Sequence, residues 1–301
     1  MVLSELALAD PILVPPIKSQ GIKTKLVPWI RSVLGPRSVD RWIEPFMGTG
    51  VVGFNVSSSA TVMGDSNPHL VAFYRHLRDG IVDGDIVRIH LEHEGALLAS
   101  RGESHYYEVR ERFNARHHPL DFLFLSRAGF NGMIRFNRSG EFNIPFCRKP
   151  ERFAPAYVTK IVNQVERVRA VMTQRPFDLW VQDFEATVAE AGPDDLIYCD
   201  PPYAGRHTDY YNGWTGADEQ RLSRALAATP AAFVVSTWAR NRHRENDSLR
   251  TIWADFDVLE REHFYHVGAR VENRGSMTEA LVCSPGLLDR SGATAVRGAG
   301  E

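Results

Sequence analysis

Cysteine is scarce in this chain. There are three in 301 residues, Cys147, Cys199 and Cys283, all far apart. With no Cys-x-x-Cys pair, neither a zinc site nor a disulfide framework is expected, and a reducing compartment is. No apolar run reaches the eighteen or so residues that a membrane span needs. The first sixteen residues are fairly apolar, but Glu5 and Asp10 interrupt them and no basic n-region precedes them, which argues against a secretory leader. Internal repeats and low-complexity tracts are also missing, which excludes solenoids and repeat arrays. What remains is ordinary soluble composition, 44% hydrophobic and 24% charged, long enough for one large α/β domain or one carrying an insertion.

Net charge is small, −2, and taken alone it argues against a polyanionic partner. Its distribution points the other way. Residues 1–100 hold 9 Lys/Arg and 10 Asp/Glu, residues 101–175 hold 14 and 7, and residues 176–301 hold 12 and 20. The middle stretch alone, at +7, has the footprint of a phosphate-backbone contact. For this asymmetry alone, a solvated basic face is the better explanation.

Arg41-Trp42-Ile43-Glu44-Pro45-Phe46 reads as a strand running into Met47-Gly48-Thr49-Gly50, and Val51, Val52, Phe54 and Val56 then open a buried helix. Thr61 to Asp65 forms a second short strand ending in a carboxylate. Further strands are predicted at 179–184, 196–199, 232–237, 256–262 and 280–284. Helical spacing runs through Ile161, Val165, Val168 and Met172, and again through Leu222 and Leu226. Such alternation predicts a mostly parallel sheet covered on both faces. Residues 76–155 break the rhythm and read as a helical insertion ending in a hairpin-like loop, with 1–75 and 156–301 forming the sheet domain. The last dozen residues read as a frayed tail.

Asp200-Pro201-Pro202-Tyr203, following the apolar Leu196-Ile197-Tyr198, is the most informative stretch. An exocyclic aromatic amine is a poor nucleophile because its lone pair is delocalised into the ring. A site that alkylates it must accept the two N–H protons so that the nitrogen can pyramidalise. Asp200 supplies one acceptor, and the Pro201 carbonyl, which no helix or ladder claims, supplies the other. Pro202 stiffens the loop, and Tyr203 offers a flat face on which an extruded base stacks. Cys199 adjoins Asp200 but should point to the opposite face as a core thiol.

Gly48 and Gly50 after a strand allow close backbone approach to a ligand, though a tight strand-to-helix turn alone would explain them as well. Asp65 lies 15 residues past Gly50 at the next strand end, where a carboxylate can hold two ribose hydroxyls. Asp183-Phe184 is expected to end a later strand, with the acid on an adenine amine and the ring on the purine. Singly, each acid reads as a helix cap or surface group. Together with the Pro-Pro loop they describe a nucleoside-bearing methyl donor beside a flipped purine.

On these residues the chain resembles the Dam-like (D12 class, group alpha) DNA adenine-N6 methyltransferases. The family order is a lysine-containing segment, the Phe-x-Gly-x-Gly turn, a target-recognition insertion, then Asp-Pro-Pro-Tyr. Here these are Lys18 to Lys23, Glu44 to Gly50, an insertion carrying Phe130-Asn131-Gly132 and Gly140-Glu141-Phe142-Asn143-Ile144-Pro145-Phe146, and Asp200 to Tyr203. The likeness spans roughly residues 15–285. It departs at Ser19-Gln20-Gly21-Ile22, where the family has Trp-Ala-Gly-Gly, so packing at the methionine end of the cofactor is open.

The resemblance implies a Rossmann-like S-adenosylmethionine-dependent sheet with a helical target-recognition insertion at 76–155. It implies methyl transfer from S-adenosyl-L-methionine to N6 of adenine in double-stranded DNA by base flipping. Phe46, Gly48 and Gly50 would line the cofactor, with Asp65 on the ribose, Asp183 and Phe184 around its adenine, and Lys23 and Asp200 near its methionine end. Lys18 would serve cofactor and DNA alike. Arg135 would read a guanine edge by the bidentate O6/N7 pattern, and Met133 and Pro145 would touch a thymine methyl. Phe130 and Asn131 would wedge into the helix, with Asn143 and Arg148 in support. A GATC-containing target, a cognate restriction endonuclease, a monomer in solution and a cytoplasmic place in a bacterial, archaeal or phage setting complete the expectation. The competing readings are methylation of another planar amine, as in RNA, and a DNA-binding relative without catalysis.

Overall fold

The computed structural model describes residues 11–203, 214–242, 244–264 and 276–288. Five parallel strands carry the fold: β1 (Arg41–Glu44), β2 (Ala60–Asp65), β3 (Phe177–Val181), β4 (Leu196–Cys199) and β5 (Ala232–Asn241). A two-residue β6 (Arg244–Glu245) pairs with the end of β5. β7 (Asp257–Phe264) and β8 (Ser276–Cys283) complete the sheet antiparallel, in the order β3-β2-β1-β4-β5-β8-β7. The mostly parallel α/β sheet expected from the sequence is therefore present.

Side-chain alternation sorts the sheet into two cores. Trp42, Leu196, Tyr198 and Val234 face one way, toward α1 (Val27–Leu34) and α2 (Val51–Val56). Ile43, Ile197, Cys199, Phe233 and Val235 face the other, toward α8 (Phe184–Ala189) and α9 (Gly216–Ala228). Cys199 is thus a core thiol facing away from its neighbour Asp200. Each fully buried aliphatic or aromatic side chain contributes about 1.5–3 kcal/mol.

On the first face, beyond β2, a third cluster joins Met63, Phe177 and Leu179 to α3 (Pro68–Arg78), α4 (Gly84–Arg101), α5 (Glu103–Arg116), α6 (Pro119–Ala128) and α7 (Pro155–Gln174). α3 and α4 start on side-chain caps, Asn67 and Asp83. Every residue of α6 is buried, so this helix forms the axis of the helical bundle. Arg112 ties the bundle by bonding Glu94 at 2.8 Å and Asp121 at 2.5 Å. Past α6 the chain folds back through the bridges Gly129–Phe146 and Phe136–Phe142, and Asn137 closes the turn by accepting from Ser139 and Glu141. The expected limits of the insertion, 76 and 155, fall inside α3 and at the first residue of α7. The four-residue α10 (Ser248–Thr251) precedes β7. No helix among the described residues is long and apolar enough to cross a membrane.

One expectation is corrected. β3 stops at Val181, so Asp183 and Phe184 do not end a strand. Asp183 instead caps α8 by accepting the Glu185 N–H at 2.9 Å, and Phe184 is the first helical residue. A short polar side chain competes well for free N–H groups at a helix start, and that overrides continuation of the strand.

Candidate active site

Strand order reverses between β1 and β4, neighbours whose following helices pack on opposite faces. Open α/β sheets bind ligands at such a switch point, beyond the carboxyl ends of the strands. Three expected elements stand on that edge: the turn after β1, Asp65 at the end of β2, and Asp200 directly after β4.

The turn is built by backbone geometry. Gly48 and Gly50 hold φ of +49° and +72°, a left-handed conformation that costs other L-residues about 1–2 kcal/mol. A Cβ on Gly50 would stand 2.5 Å from the Phe54 ring, whereas one on Gly48 would enter open space. Packing therefore requires Gly50, while Gly48 faces open space. The Gly48 N–H donates to Asp65 Oδ2 at 2.9 Å, and the Asn67 N–H donates to Oδ1 at 2.8 Å. Asp65 thus links the two crests and keeps further lone pairs on both oxygens. Burial raises its pKa, and the two N–H donors oppose the rise. Beneath the turn, Glu44 is buried with its Oε2 3.1 Å from the Trp42 indole nitrogen, which donates to it. Burial pushes Glu44 up to about 8.

Beside this, Lys23 Nζ lies 2.8 Å from Asp200 Oδ1 and 4.6 Å from the centre of the Tyr203 ring. Lys23 also donates to the Gly21 carbonyl at 3.2 Å. Burial works against its charge, yet the net shift is upward, because Asp200, Tyr203 and Glu279 surround the ammonium. Burial raises Asp200, and Lys23 opposes that rise. The Tyr203 hydroxyl donates to Glu279 Oε2 at 2.8 Å. Burial raises the Tyr203 pKa, with Lys23 opposing the shift and Glu279 adding to it. Pro201 is buried and Pro202 half-buried. One ammonium thus joins the acid and the ring of the tetrapeptide in a low-dielectric corner, where fixed charges act strongly.

Phe46 stacks on Phe184 at 5.2 Å between centroids, and Trp214 meets Phe46 edge-on at 5.5 Å. An aromatic wall therefore stands beside the glycine turn. Asp183 sits at its margin and is already engaged, with Arg221 3.1 Å away, also paired to Glu185 and lying over the Phe184 ring.

The remaining expected residues gather elsewhere. Lys18 lies with its stem against Gly132, where a Cβ would stand 2.5 Å from the lysine Cδ. Burial and the neighbouring Arg152 lower its pKa. Lys18 and Lys23 thus part company, one against Gly132 and one at Asp200. Phe130 is 49% exposed, a large apolar ring offered to solvent. Asn131 takes φ +54° and Arg148 φ +57°. Arg135 Nε donates to Asn143 Oδ1 at 2.9 Å, and the Pro145 carbonyl accepts the Phe130 N–H at 2.9 Å. Met133 packs on the third cluster, while Pro145 and Arg148 are exposed.

Three members of this region were not singled out from the sequence: Glu279, Glu44 and Trp214. A carboxylate inside Met277-Thr278-Glu279-Ala280-Leu281-Val282 was a readable signal, since a lone acid in an apolar strand demands a partner. Trp214 had no local signal.

Residues 19–267 match the family of D12 class N6 adenine-specific DNA methyltransferases. Among curated relatives, the Haemophilus influenzae DNA adenine methylase is 33% identical over 225 residues, covering 71% of this chain and 73% of that one. The type II methyltransferase M1.LlaDCHI of Lactococcus lactis subsp. cremoris is 24% identical, covering 90% of this chain and 95% of its own. The type II methyltransferase M.FokI of Planomicrobium okeanokoites is 26% identical over 89% of this chain, which spans only 42% of that relative's length. A strand order reversing between β1 and β4, a glycine turn locked to Asp65 and an acid at the mouth of β4 agree with this match, and the chain belongs to the D12 class of N6 adenine-specific DNA methyltransferases.

Proposed function

We propose that the chain methylates N6 of adenine within a specific sequence of double-stranded DNA, receiving the base extruded from the helix. The observation that carries the reading is Asp200 and Tyr203 held together by Lys23 beside the glycine turn. Extruding a base costs a few kcal/mol of stacking and pairing. Tyr203 offsets part of this by stacking. Asp200 and the Pro201 carbonyl accept the two N–H protons of the amine, leaving its lone pair to attack, and Pro202 stiffens the loop that aims them.

S-adenosyl-L-methionine supplies an activated methyl group on a sulfonium. The residues present fit it: open space borders Gly48, Asp65 keeps lone pairs for ribose hydroxyls, and Phe46 with Phe184 offers an aromatic wall. Gly50 shapes that turn, Asp183 stands at the wall's margin, and Lys23 would answer the methionine carboxylate.

We assign residues 76–155, which include most of the basic stretch, to target recognition, and 1–75 with 156–301 to catalysis. Arg135, Met133 and Pro145 would read bases, and Phe130 and Asn131 would fill the gap left by the extruded base. Asn143, which already holds Arg135, would set its reach, and Arg148 and Lys18 would steady the backbone. Two of the relatives named above are type II methyltransferases, which supports a cognate restriction endonuclease as partner.

Expression in a host lacking DNA methylation, followed by single-molecule sequencing, tests the reading. Modified adenines at one recurrent motif are expected, GATC-containing motifs being the first to inspect. Soluble protein that binds labelled S-adenosylmethionine yet leaves every duplex unmodified would replace this reading with a non-catalytic DNA-binding role.

A further inference from the structure

Glu279 has no part in the mechanism above. It lies on β8, 0% exposed, paired across the ladder with Trp238 of β5. A carboxylate so enclosed is costly unless it is paired and hydrogen-bonded. It accepts the Tyr203 hydroxyl at 2.8 Å, a bond that spans 76 residues of chain. β5 stands between β4 and β8, so this bond ties the loop after β4 to the antiparallel half of the sheet.

The bond acts on a loop side chain with two free torsions. Lys23 holds the Tyr203 ring from its face, 4.6 Å above the centroid. A cation over a face restrains distance but leaves the ring free to turn in its own plane and to tilt. A hydrogen bond at the far end removes that freedom. Face and tip together define one plane beside Asp200, which carries the other end of the same lysine contact. A carboxylate is also a stronger acceptor than a neutral amide or water would be in this place.

We propose that Glu279 is a positioning residue for methyl transfer, which by accepting the Tyr203 hydroxyl fixes the plane of the ring that receives the extruded base. This rests on the reading of Tyr203 as the stacking face. Glu279 itself touches neither base nor methyl donor.

The test uses the full chain and a duplex bearing the motif found by sequencing, with four variants. Glu279→Met keeps volume and removes the acceptor, Glu279→Gln keeps an acceptor, Tyr203→Phe removes the donor, and the double variant combines Tyr203→Phe with Glu279→Met. Single-turnover transfer, DNA affinity and the fluorescence of 2-aminopurine at the target position are measured. Glu279→Met and Tyr203→Phe should each slow transfer about tenfold, the scale of a small misplacement of a reacting group, with DNA affinity changed by no more than about threefold. Both should alter the bound-state fluorescence in the same direction, Glu279→Gln should restore it, and the double variant should be no slower than the slower single one.

Losses that multiply in the double variant, a Gln variant as slow as the Met variant, or a Phe variant transferring at the parental rate would each overturn the proposal. If Glu279→Met does not fold, the Phe and Gln variants decide by the same criteria. Tyr203→Ala separates the two claims. Parental transfer by that variant removes the stacking role altogether, whereas loss of transfer with multiplicative behaviour elsewhere removes only Glu279.

Discussion

The crest of the sheet and the loop at 130–148 meet solvent in opposite ways. At the crest the polar groups are tied inward: Asp65 to two N–H donors, Asp200 to Lys23, Tyr203 to Glu279. On the loop, Phe130 stands half out of the protein, and Arg135 is braced by Asn143 with its side chain on a half-buried edge. The contrast suits the roles proposed for each. Chemistry gains from charges fixed before the reactants arrive, because no reorganisation is then spent at the moment of reaction. Reading a duplex gains from side chains presented at the surface, where the edge of a base can meet them. A crest turned inward and a loop turned outward give different responses to substitution.

The largest response belongs to Asp200. Asp200→Ala removes the acceptor proposed for the target amine, and transfer should fall by about 10³-fold, the scale of losing a preorganised catalytic group. Lys23 keeps Glu279 within its field, so the ammonium is not stranded. DNA affinity should change by no more than about threefold if the loop binds independently of the crest. Single-turnover assays with labelled donor, run beside a duplex-binding titration, read both quantities. Near-normal transfer would end the role of this carboxylate.

How far the sequence announced this contrast differs between the two regions. β4 was legible to the residue, because a four-residue apolar run bounded by Pro-Asp-Asp and Asp-Pro-Pro leaves no other boundary. β3 was placed too late, since Gln182-Asp183 is a turn and cap whose chemistry outweighs the apolar Phe184 beyond it. Glu279 was missed for a different reason. β8 was expected to begin at Ala280, because an acid reads as a strand end when its partner, Tyr203, is 76 residues away. In the helical bundle, α6 is buried all round, so no amphipathic period announces it. The roles proposed on the loop come from the likeness to a family, since Phe, Asn and Arg near the surface have no local signature of their own.

Glu44 extends the comparison to pH. Its carboxyl, pushed up to about 8 by burial, is protonated in the folded chain at neutral pH and ionised in the unfolded chain above about 4.5. Below the lower value neither state changes, and above the upper value both are ionised. Between them the unfolded chain binds fewer protons, so stability falls as pH rises, by about 1.4 kcal/mol per unit. Glu44→Gln removes this slope. Urea unfolding should find the variant gaining about 2–3 kcal/mol on its parent between pH 5.5 and pH 7.5. Parallel decline in the two proteins would mean that Glu44 is already ionised in the fold.

Arg135 carries the third effect, on discrimination instead of rate. Arg135→Ala should cost about 1–3 kcal/mol of preference at one base pair while transfer at the best site persists. Asn143 would then lose the partner it holds at 2.9 Å, so Asn143→Ala should relax the same position more weakly. Methylation of a panel of single-base variants of the motif reads both. Unchanged preference in Arg135→Ala would move base reading to other residues of the loop.

Phe130 gives the smallest effect on the fold and the sharpest on the comparison. A ring 49% exposed has little burial to lose, so Phe130→Ala should leave unfolding free energy within about 0.5 kcal/mol of the parent. A phenylalanine kept in the open for the fold's sake would break that expectation, since truncating a packed ring costs about 3–5 kcal/mol. With stability unmoved, 2-aminopurine at the target should leave the duplex more slowly or less completely if Phe130 is the wedge proposed above. If both stability and extrusion stay at parental values, the wedge role falls to Asn131, whose backbone is already held at φ +54°.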